Sequence, residues 1–157
     1  MRSIFTILML CALVSGCGRY FAPDRNVKET LSDNDVVGRW KITKTSLDLL
    51  ARDGFKSESN QTYTISFNKD GTCAFQTVEL FSEKPNYIST NGTWKLEHDI
   101  KRYEHKPTKN ELKFEFVFNG VRHLHKLDFA RQDGKLLLWE FYRDPDEWEF
   151  MEYAREN

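Results

Sequence analysis

Two histidines, His123 and His125, stand two residues apart in a segment where apolar and polar residues alternate. Since successive side chains of a strand point to opposite faces, both imidazoles are expected on one face. A zinc site would need at least one more ligand brought in by folding, and the candidates are His98, His105 and Glu140. We predict no metal here. If this face lines the interior of the barrel, the pair could orient a ligand. If it is the outer face, the two imidazoles are solvated, and Leu124 faces the interior instead.

Four acidic residues surround Pro145, and carboxylate oxygens are ligands that Ca²⁺ prefers. They are Asp144, Asp146, Glu147 and Glu149. The spacing does not match an EF-hand loop and no glycine stands at the bend, so the segment is predicted to be a solvated turn. The chain also lacks Gly-x-Ser-x-Gly, Cys-x-x-Cys and phosphate-loop motifs. The sequence therefore predicts no enzyme activity, no cofactor and no metal.

The first 16 residues have the organisation of a secretory signal peptide. Arg2 supplies a positive charge, and the segment 4–14, IFTILMLCALV, is nearly all apolar. This segment is too short to span a bilayer core, which takes roughly 20 helical residues. Ser15 and Gly16 are small, as a cleavage site requires. The alternative is a short anchor helix that the mature protein retains.

The chain has three cysteines, and Cys17 directly follows these small residues. The tetrapeptide Val14-Ser15-Gly16-Cys17 resembles the lipobox of bacterial lipoproteins. The resemblance implies diacylglycerol on the Cys17 thiol, cleavage before Cys17 and acylation of the new N-terminus, a combination that would anchor the protein stably to a membrane. Gly18, where aspartate would retain a lipoprotein at the inner membrane, implies the outer membrane facing the periplasm in a Gram-negative host. Removal of Cys11 would leave Cys73 without a disulfide partner.

The composition suits one folded domain behind a polar tether. The chain has 157 residues, 14% aromatic residues and a net charge of −1. Acidic and basic residues are interspersed without a basic stripe, so no nucleic-acid partner is predicted. We predict a signal peptide over 1–16, a lipidated N-terminus and tether over 17–35, and one domain over 36–157.

From Val36 onward, short runs of alternating apolar and polar residues are separated by turn signals. Short connections favour antiparallel strands, because parallel neighbours need long crossovers. The predicted fold is all-β: an antiparallel up-and-down meander of about eight strands closed into a barrel, with one short helix over 46–52 after the first strand. A two-sheet sandwich is the alternative. The predicted strands are 36–45, 61–68, 72–80, 87–97, 111–118, 121–130, 135–142 and 147–155.

Several cap and turn residues refine this prediction. Ser46 is the expected N-cap of the short helix. The pairs Asn119-Gly120 and Asp133-Gly134 predict tight hairpin turns. The pair Asn91-Gly92 would mark a bulge in the fourth strand, or a hairpin that splits it.

The first strand carries Gly38-Arg39-Trp40, and Gly-x-Trp near the start of strand one is typical of lipocalins and their relatives. The chain resembles small bacterial lipocalin-like domains over Val36–Arg155, in GRWKI, ISFNKDGTCAF and NGTWKL. The resemblance implies that Trp40 closes one end of the barrel. It also implies that Arg155 on the last strand packs over the indole, a favourable cation–π contact.

Aromatic residues recur on the predicted strand faces, and they either line an apolar cavity or fill the core. They are Tyr63, Phe67, Phe75, Phe114, Phe116, Phe118, Trp139 and Phe141. A hollow barrel predicts a membrane-anchored envelope lipoprotein that binds a small apolar ligand. A filled barrel predicts a lipoprotein that binds another protein, such as an envelope assembly component, an inhibitor or an immunity factor. The loops 81–87 and 99–110 would then make the contacts.

Overall fold

Eight antiparallel strands close into a barrel in chain order, each pairing with the next and the last pairing with the first. The structure is a computed structural model and describes residues 27–79, 85–101, 108–142 and 149–156. The predicted meander and its closure are therefore confirmed, and the sandwich is not adopted. The strands are β1 Gly38–Ile42, β2 Thr64–Phe67, β3 Thr72–Glu79, β4 Asn86–Ile100, β5 Thr108–Phe118, β6 Val121–Gln132, β7 Lys135–Phe141 and β8 Phe150–Arg155.

Two short helices flank β1: α1 spans Asp33–Val36 and α2 spans Lys44–Arg52. The N-cap of α2 is Thr43, whose side chain accepts a hydrogen bond from the Ser46 backbone N–H at 3.3 Å. The prediction that Ser46 is the cap is therefore wrong. Ser46 instead lies buried inside the first turn, where its hydroxyl accepts the Glu152 backbone N–H at 2.8 Å and joins α2 to β8.

The hairpin turns follow the predicted chemistry, but Asn91-Gly92 does not form one. Asn119-Gly120 and Asp133-Gly134 both have positive φ angles, as two-residue turns of this kind require. Gly92 instead lies within β4, opposite Cys73 of β3 and Phe116 of β5, in a register continuous through it. The strand is neither split nor bulged at this point.

Gly92 allows β4 and β5 to approach closely inside the barrel. A Cβ atom at this position would lie 2.0 Å from the backbone carbonyl oxygen of Glu115 and 3.0 Å from Cβ of Phe116. The backbone oxygen cannot move away without breaking the strand pairing. The absence of a side chain, rather than a positive φ, explains glycine here.

Trp40 lies toward the end of the barrel where α1 adjoins β1, and we call this end the closed end. Its indole is fully buried, and its Nε1–H donates to the Val36 carbonyl of α1 at 2.8 Å. Arg155 pairs with Trp40 in the register of β1 and β8, so both side chains lie on the same face. Arg155 also donates to the carbonyl of Val37, and a Cβ atom at Gly38 would lie 3.1 Å from the Arg155 Nε. The register thus sets Trp40 beside Arg155 where β1 and β8 close the sheet, and the packing of Arg155 over the indole stays a prediction.

Residues 27–35, assigned to the tether from the sequence, pack onto the barrel. Val27 and Leu31 are buried in the core cluster. The amide of Asn110, itself buried in β5, holds them in place: its Oδ1 accepts the Leu31 N–H at 2.9 Å, and its Nδ2 donates to the Glu29 carbonyl at 2.8 Å. The folded domain therefore includes residues from Val27 onward, whereas the sequence predicted a domain that starts at Val36.

The opposite end, which we call the mouth, is covered by α2 and the loop after it. Leu49 and Leu50 of α2 belong to the buried core. The Tyr63 ring packs edge-on against Phe55 of the loop, with centroids 5.7 Å apart, and its hydroxyl accepts the Glu58 N–H at 3.0 Å. Both ends of the barrel are thus covered by segments of the same chain.

Replacing Gly92 by alanine should destabilise the protein by roughly 3 kcal/mol, because the new methyl group meets a backbone oxygen that cannot yield. Gly134→Ala is the matched control, since its Cβ would meet nothing within 4 Å and only the φ of +75° opposes it. That change should cost about 1 kcal/mol. Urea unfolding followed by tryptophan fluorescence measures both. Equal losses would show that the close approach of β4 and β5 is unimportant.

Candidate functional site

Five of the eight predicted lining residues point into the barrel, where they pack against each other. Phe75 contacts Phe114 and Phe116, with ring centroids 4.5 and 5.2 Å apart, and Phe67 contacts Trp94 at 5.6 Å. Tyr63, Phe67, Phe75, Phe114 and Phe116 are all buried. Phe118, at the mouth end of β5, is only half-buried. The rings fill the interior rather than surround an open space.

The space left among these rings is a cavity of about 20 Å³. A single water needs roughly 10–15 Å³ measured in this way, whereas ligand pockets usually measure about 300–1,000 Å³. The cavity therefore has room for about one water molecule. Its walls are mostly apolar, with four polar side chains: Thr77, His125, Glu140 and Tyr153.

These four polar side chains form two pairs. His125 Nε2 lies 2.5 Å from the Glu140 Oε2, joining β6 to β7. The hydroxyls of Thr77 and Tyr153 are hydrogen-bonded at 3.2 Å, across the interior from β3 to β8. Burial, and secondly the Glu140 carboxylate, raise the pKa of Tyr153, so its phenol keeps its proton. The pairs satisfy polar groups that would otherwise be costly to bury.

His123 and His125 face the interior, and Leu124 faces outward. The His125 ring lies 5.0 Å from Phe114, and the His123 ring stacks on Phe116 at 5.2 Å. Leu124 is 56% exposed, so the phase that would put it inside is wrong. Of the proposed third ligands, Glu140 contacts His125, while His98 lies at the closed end against Asn110. Within the described ranges no group of three His, Cys, Asp or Glu side chains could hold a metal ion.

Trp139 and Phe141 lie on the outside of the barrel, so their assignment as lining residues is corrected. The alternate residues of β7, Leu138 and Glu140, face the core and the cavity. Trp139, Phe141 and Phe150 of β8 form a cluster of three rings whose centroids lie 5.1–5.4 Å apart. Trp139 belongs to a second apolar cluster, separate from the main core.

Two exposed aliphatic residues, Val117 of β5 and Leu124 of β6, lie on the same outer face of the sheet as these rings. Val117 lies opposite Arg122 and Leu124 opposite Glu115, so the two aliphatic side chains are diagonal neighbours on the outer face. The pairing of β6 with β7 ends at Asp128 opposite Trp139, and Phe141 lies two residues farther toward the mouth than Trp139. We call Val117, Leu124, Phe141, Phe150 and Trp139 the outer stripe. Val117, Leu124 and Phe141 are 58%, 56% and 36% exposed.

The neighbouring outer face, formed by β4 and β5 toward the closed end, is charged instead. Glu97 accepts hydrogen bonds from Lys113 and Lys95, and these ammonium groups lower the pKa of its carboxyl to about 2. Lys113 and Lys126 also approach the Glu111 carboxylate, at 3.6 and 3.4 Å. The contrast makes the outer stripe a distinct surface rather than part of a uniformly apolar barrel.

The sequence interpretation missed the outer stripe, although a signal was present. On the outer face of β5, Lys113 and Glu115 are followed by Val117 where a third polar residue would continue the pattern. On β6, Leu124 stands between Arg122 and Lys126 in the same way. A single outward apolar residue is ordinary, but two of them on neighbouring strands mark a candidate contact surface once the inward and outward faces are known.

The remaining predicted residues are Cys73, the acidic turn and the contact loops, and the structure describes them in part. Burial raises the pKa of the Cys73 thiol to about 12, which makes it a poor nucleophile.

Of the predicted acidic turn, Glu149 forms an ion pair with Arg52. Of the predicted contact loops, 86–87 belong to β4, 99–100 end β4 and 108–110 begin β5. Cys17, His105, Asp144, Asp146, Glu147 and loop residues 81–84 and 102–107 lie outside the described residues.

No family model, no curated protein and no solved structure matches the chain. Within the described ranges the two helices have four and nine residues, and neither could serve as a membrane-spanning helix. The functional interpretation therefore depends on the surfaces and the interior of the barrel itself.

Replacing Thr77 by valine should cost about 1–3 kcal/mol, because the Tyr153 hydroxyl stays buried without its partner. The double variant Thr77→Val/Tyr153→Phe removes both groups and should recover most of that loss. The control is Thr62→Val, whose hydroxyl bonds Gln76 on the exposed surface, with a change within about 0.5 kcal/mol. Denaturant unfolding gives the free energy of unfolding of each variant in this double-mutant cycle. Strictly additive losses would contradict the coupling across the interior.

Proposed function

We propose that the chain is a lipid-anchored envelope protein whose barrel binds a partner protein through the outer stripe. The observation that carries the proposal is the pairing of a filled interior with an exposed apolar outer surface. Envelope assembly, inhibition and immunity are the classes of role that such a protein would serve.

The filled interior argues against binding of a small apolar ligand inside the barrel. A cavity of about 20 Å³ would have to expand more than tenfold to hold a lipid-sized molecule. Such expansion would separate the packed rings of Phe75, Phe114 and Phe116 and break the hydrogen bond between Thr77 and Tyr153. It would also need access past α2 and the loop that cover the mouth.

The outer stripe has the composition of a protein contact surface. Aromatic residues are enriched at protein interfaces, where charged residues are depleted from the centre. Val117, Leu124 and Phe141 are exposed, and the ion pair of Arg122 and Glu115 lies between Val117 and Leu124. Exposed apolar groups interspersed with one ion pair can bury apolar area and also form polar contacts with a partner.

The anchor in this proposal is Cys17, on the evidence of its position after Val14, Ser15 and Gly16 behind an apolar segment. The barrel supports this assignment indirectly. Cys73 is buried, and burial raises the pKa of its thiol to about 12, so Cys73 is a poor candidate for modification in comparison with Cys17, whose sulfur would be a thioether in the mature protein. We place the protein at the outer membrane, facing the periplasm, if the host is Gram-negative.

A photo-crosslinking amino acid at Leu124 should capture the partner in intact cells, because this side chain would lie within the interface. The same group at Lys95, on the charged outer face of β4, is the matched control and should give no such product. Adding Val117→Lys to the Leu124 probe should abolish the product, since a buried charge opposes docking. Gel shifts and mass spectrometry of the captured band measure the result.

Two results would contradict this proposal. Equal crosslinking at Leu124 and Lys95 would mean that the outer stripe is not the contact surface. Saturable binding of a fluorescent fatty acid to the purified protein, lost on Ile88→Trp beside the cavity, would show that the barrel opens to a ligand. The partner-binding role would then give way to ligand transport or storage.

Cys17→Ser should release the protein from the membrane fraction and remove the acyl mass from its N-terminal peptide. Cys73→Ser is the control and should leave the membrane fraction unchanged, because this thiol lies inside the barrel. Fractionation and mass spectrometry of the purified protein measure both variants. Membrane attachment that survives Cys17→Ser would contradict the lipid anchor.

A further inference from the structure

We infer that the anchored barrel stands with its closed end toward the lipid surface and its mouth, with the exposed part of the outer stripe, away from it. This inference rests on the proposed anchor at Cys17. It adds which surface of the barrel faces the membrane and which surface remains free for a partner protein.

The order of the strands assigns every connection to one end of the barrel. In an antiparallel meander, odd-numbered strands run one way and even-numbered strands the other. The turn at 68–71 and the turn at Asp133-Gly134 therefore lie at the closed end, with Trp40 and α1. The turn at Asn119-Gly120 lies at the mouth, with α2.

The chain enters the folded domain at the closed end and is fixed there. The Val27 N–H donates to the Phe129 carbonyl at 3.2 Å, near the closed end of β6. Two residues on, Glu29 forms an ion pair with Arg131 at 2.6 Å, and its carbonyl accepts from Asn110. Val27 and Leu31 bury their side chains in the core. The segment that links the proposed anchor at Cys17 to Val27, here called the leash, therefore joins the domain near the closed end and not near the mouth.

The leash is short in comparison with the barrel. Residues 18–26 are all that separates Cys17 from Val27. These nine residues cannot span more than about 32 Å, even when fully extended. The strand β6, Val121–Gln132, tilted as barrel strands are, makes the barrel about 28 Å tall. The mouth therefore cannot approach the lipid surface as closely as the closed end without the leash becoming nearly fully extended.

The charges at the closed end do not oppose this arrangement. Arg39 pairs with Glu156 at 3.0 Å and Lys109 with Asp99 at 2.7 Å, in addition to the pair of Glu29 and Arg131. Acidic and basic groups thus stand side by side, and neither strong attraction nor strong repulsion from anionic lipid is expected. The leash, rather than electrostatics, sets the orientation.

The orientation leaves the exposed end of the outer stripe accessible. Val117 and Leu124 lie within a few residues of the turn at the mouth, and Phe141 ends β7 at the same side. These residues would stand about 15–20 Å or more above the lipid surface when the barrel is upright. A partner protein could reach them from the periplasmic side without displacing the barrel from the membrane.

The test compares the distances of two labelled positions from the membrane. The full-length lipoprotein, purified from the membranes of a bacterial host, carries a fluorophore on Lys135→Cys at the closed end or on Val121→Cys at the mouth. Both native side chains are exposed, and the buried Cys73 should not compete for the label. Vesicles of phosphatidylethanolamine and phosphatidylglycerol carry acceptor dyes on their headgroups. Energy transfer then reports the distance of closest approach of each position.

We expect the distance from the lipid surface to be shorter by about 20 Å at position 135 than at position 121. Inserting ten Gly/Ser residues between 25 and 26 should shrink this difference, because the maximum length of the leash rises from about 32 Å to about 66 Å. The folded domain is unchanged in that variant. Equal distances, a shorter distance at 121, or no effect of the insertion would overturn the orientation. Failure to sediment with the vesicles would instead overturn the anchor on which it rests.

Discussion

The structure depends on one geometric constraint: closing eight strands into a barrel leaves an interior that side chains can fill. An interior of this width accommodates either packed side chains or a single small ligand. Here the rings of Phe67, Phe75, Phe114 and Phe116 occupy it. Such packing demands a close approach of β4 and β5, which Gly92 permits. It also demands covers at both ends, which Trp40 with α1 and α2 with its loop provide.

A filled barrel then restricts where polar groups and function can lie. Polar side chains inside must find partners inside, as Thr77 finds Tyr153 and His125 finds Glu140. Because these side chains bond each other, their donors and acceptors are occupied and would have to break those bonds to bind a ligand. The surfaces left free for recognition are the outer faces of the strands, and among these the outer stripe is apolar while β4 and β5 are charged.

Local pattern predicted the strands well, because alternation and the turns at Asn119-Gly120 and Asp133-Gly134 are properties of short segments. It was wrong where several apolar residues follow one another. In β7, Leu136, Leu137, Leu138 and Trp139 are consecutive, so no alternation selects the inner face. Pairing selects it: Leu138 lies opposite Phe129 and Tyr153, which turns Trp139 outward and Glu140 toward His125.

The packing of residues 27–35 was missed for a different reason, and that reason bears on the anchor. Their position depends on long-range contacts, among them those of the Asn110 amide, which bonds backbone groups about 80 residues earlier in the chain and leaves no local periodicity. Once this segment is counted with the barrel, the leash to the proposed anchor at Cys17 has half the length that the sequence predicted. If that anchor exists, a long tether would let the barrel sample all orientations, whereas a short one that starts at the closed end would bias which face meets the lipid. The contacts of Asn110 thus connect the packing of the core to the direction in which the outer stripe is presented.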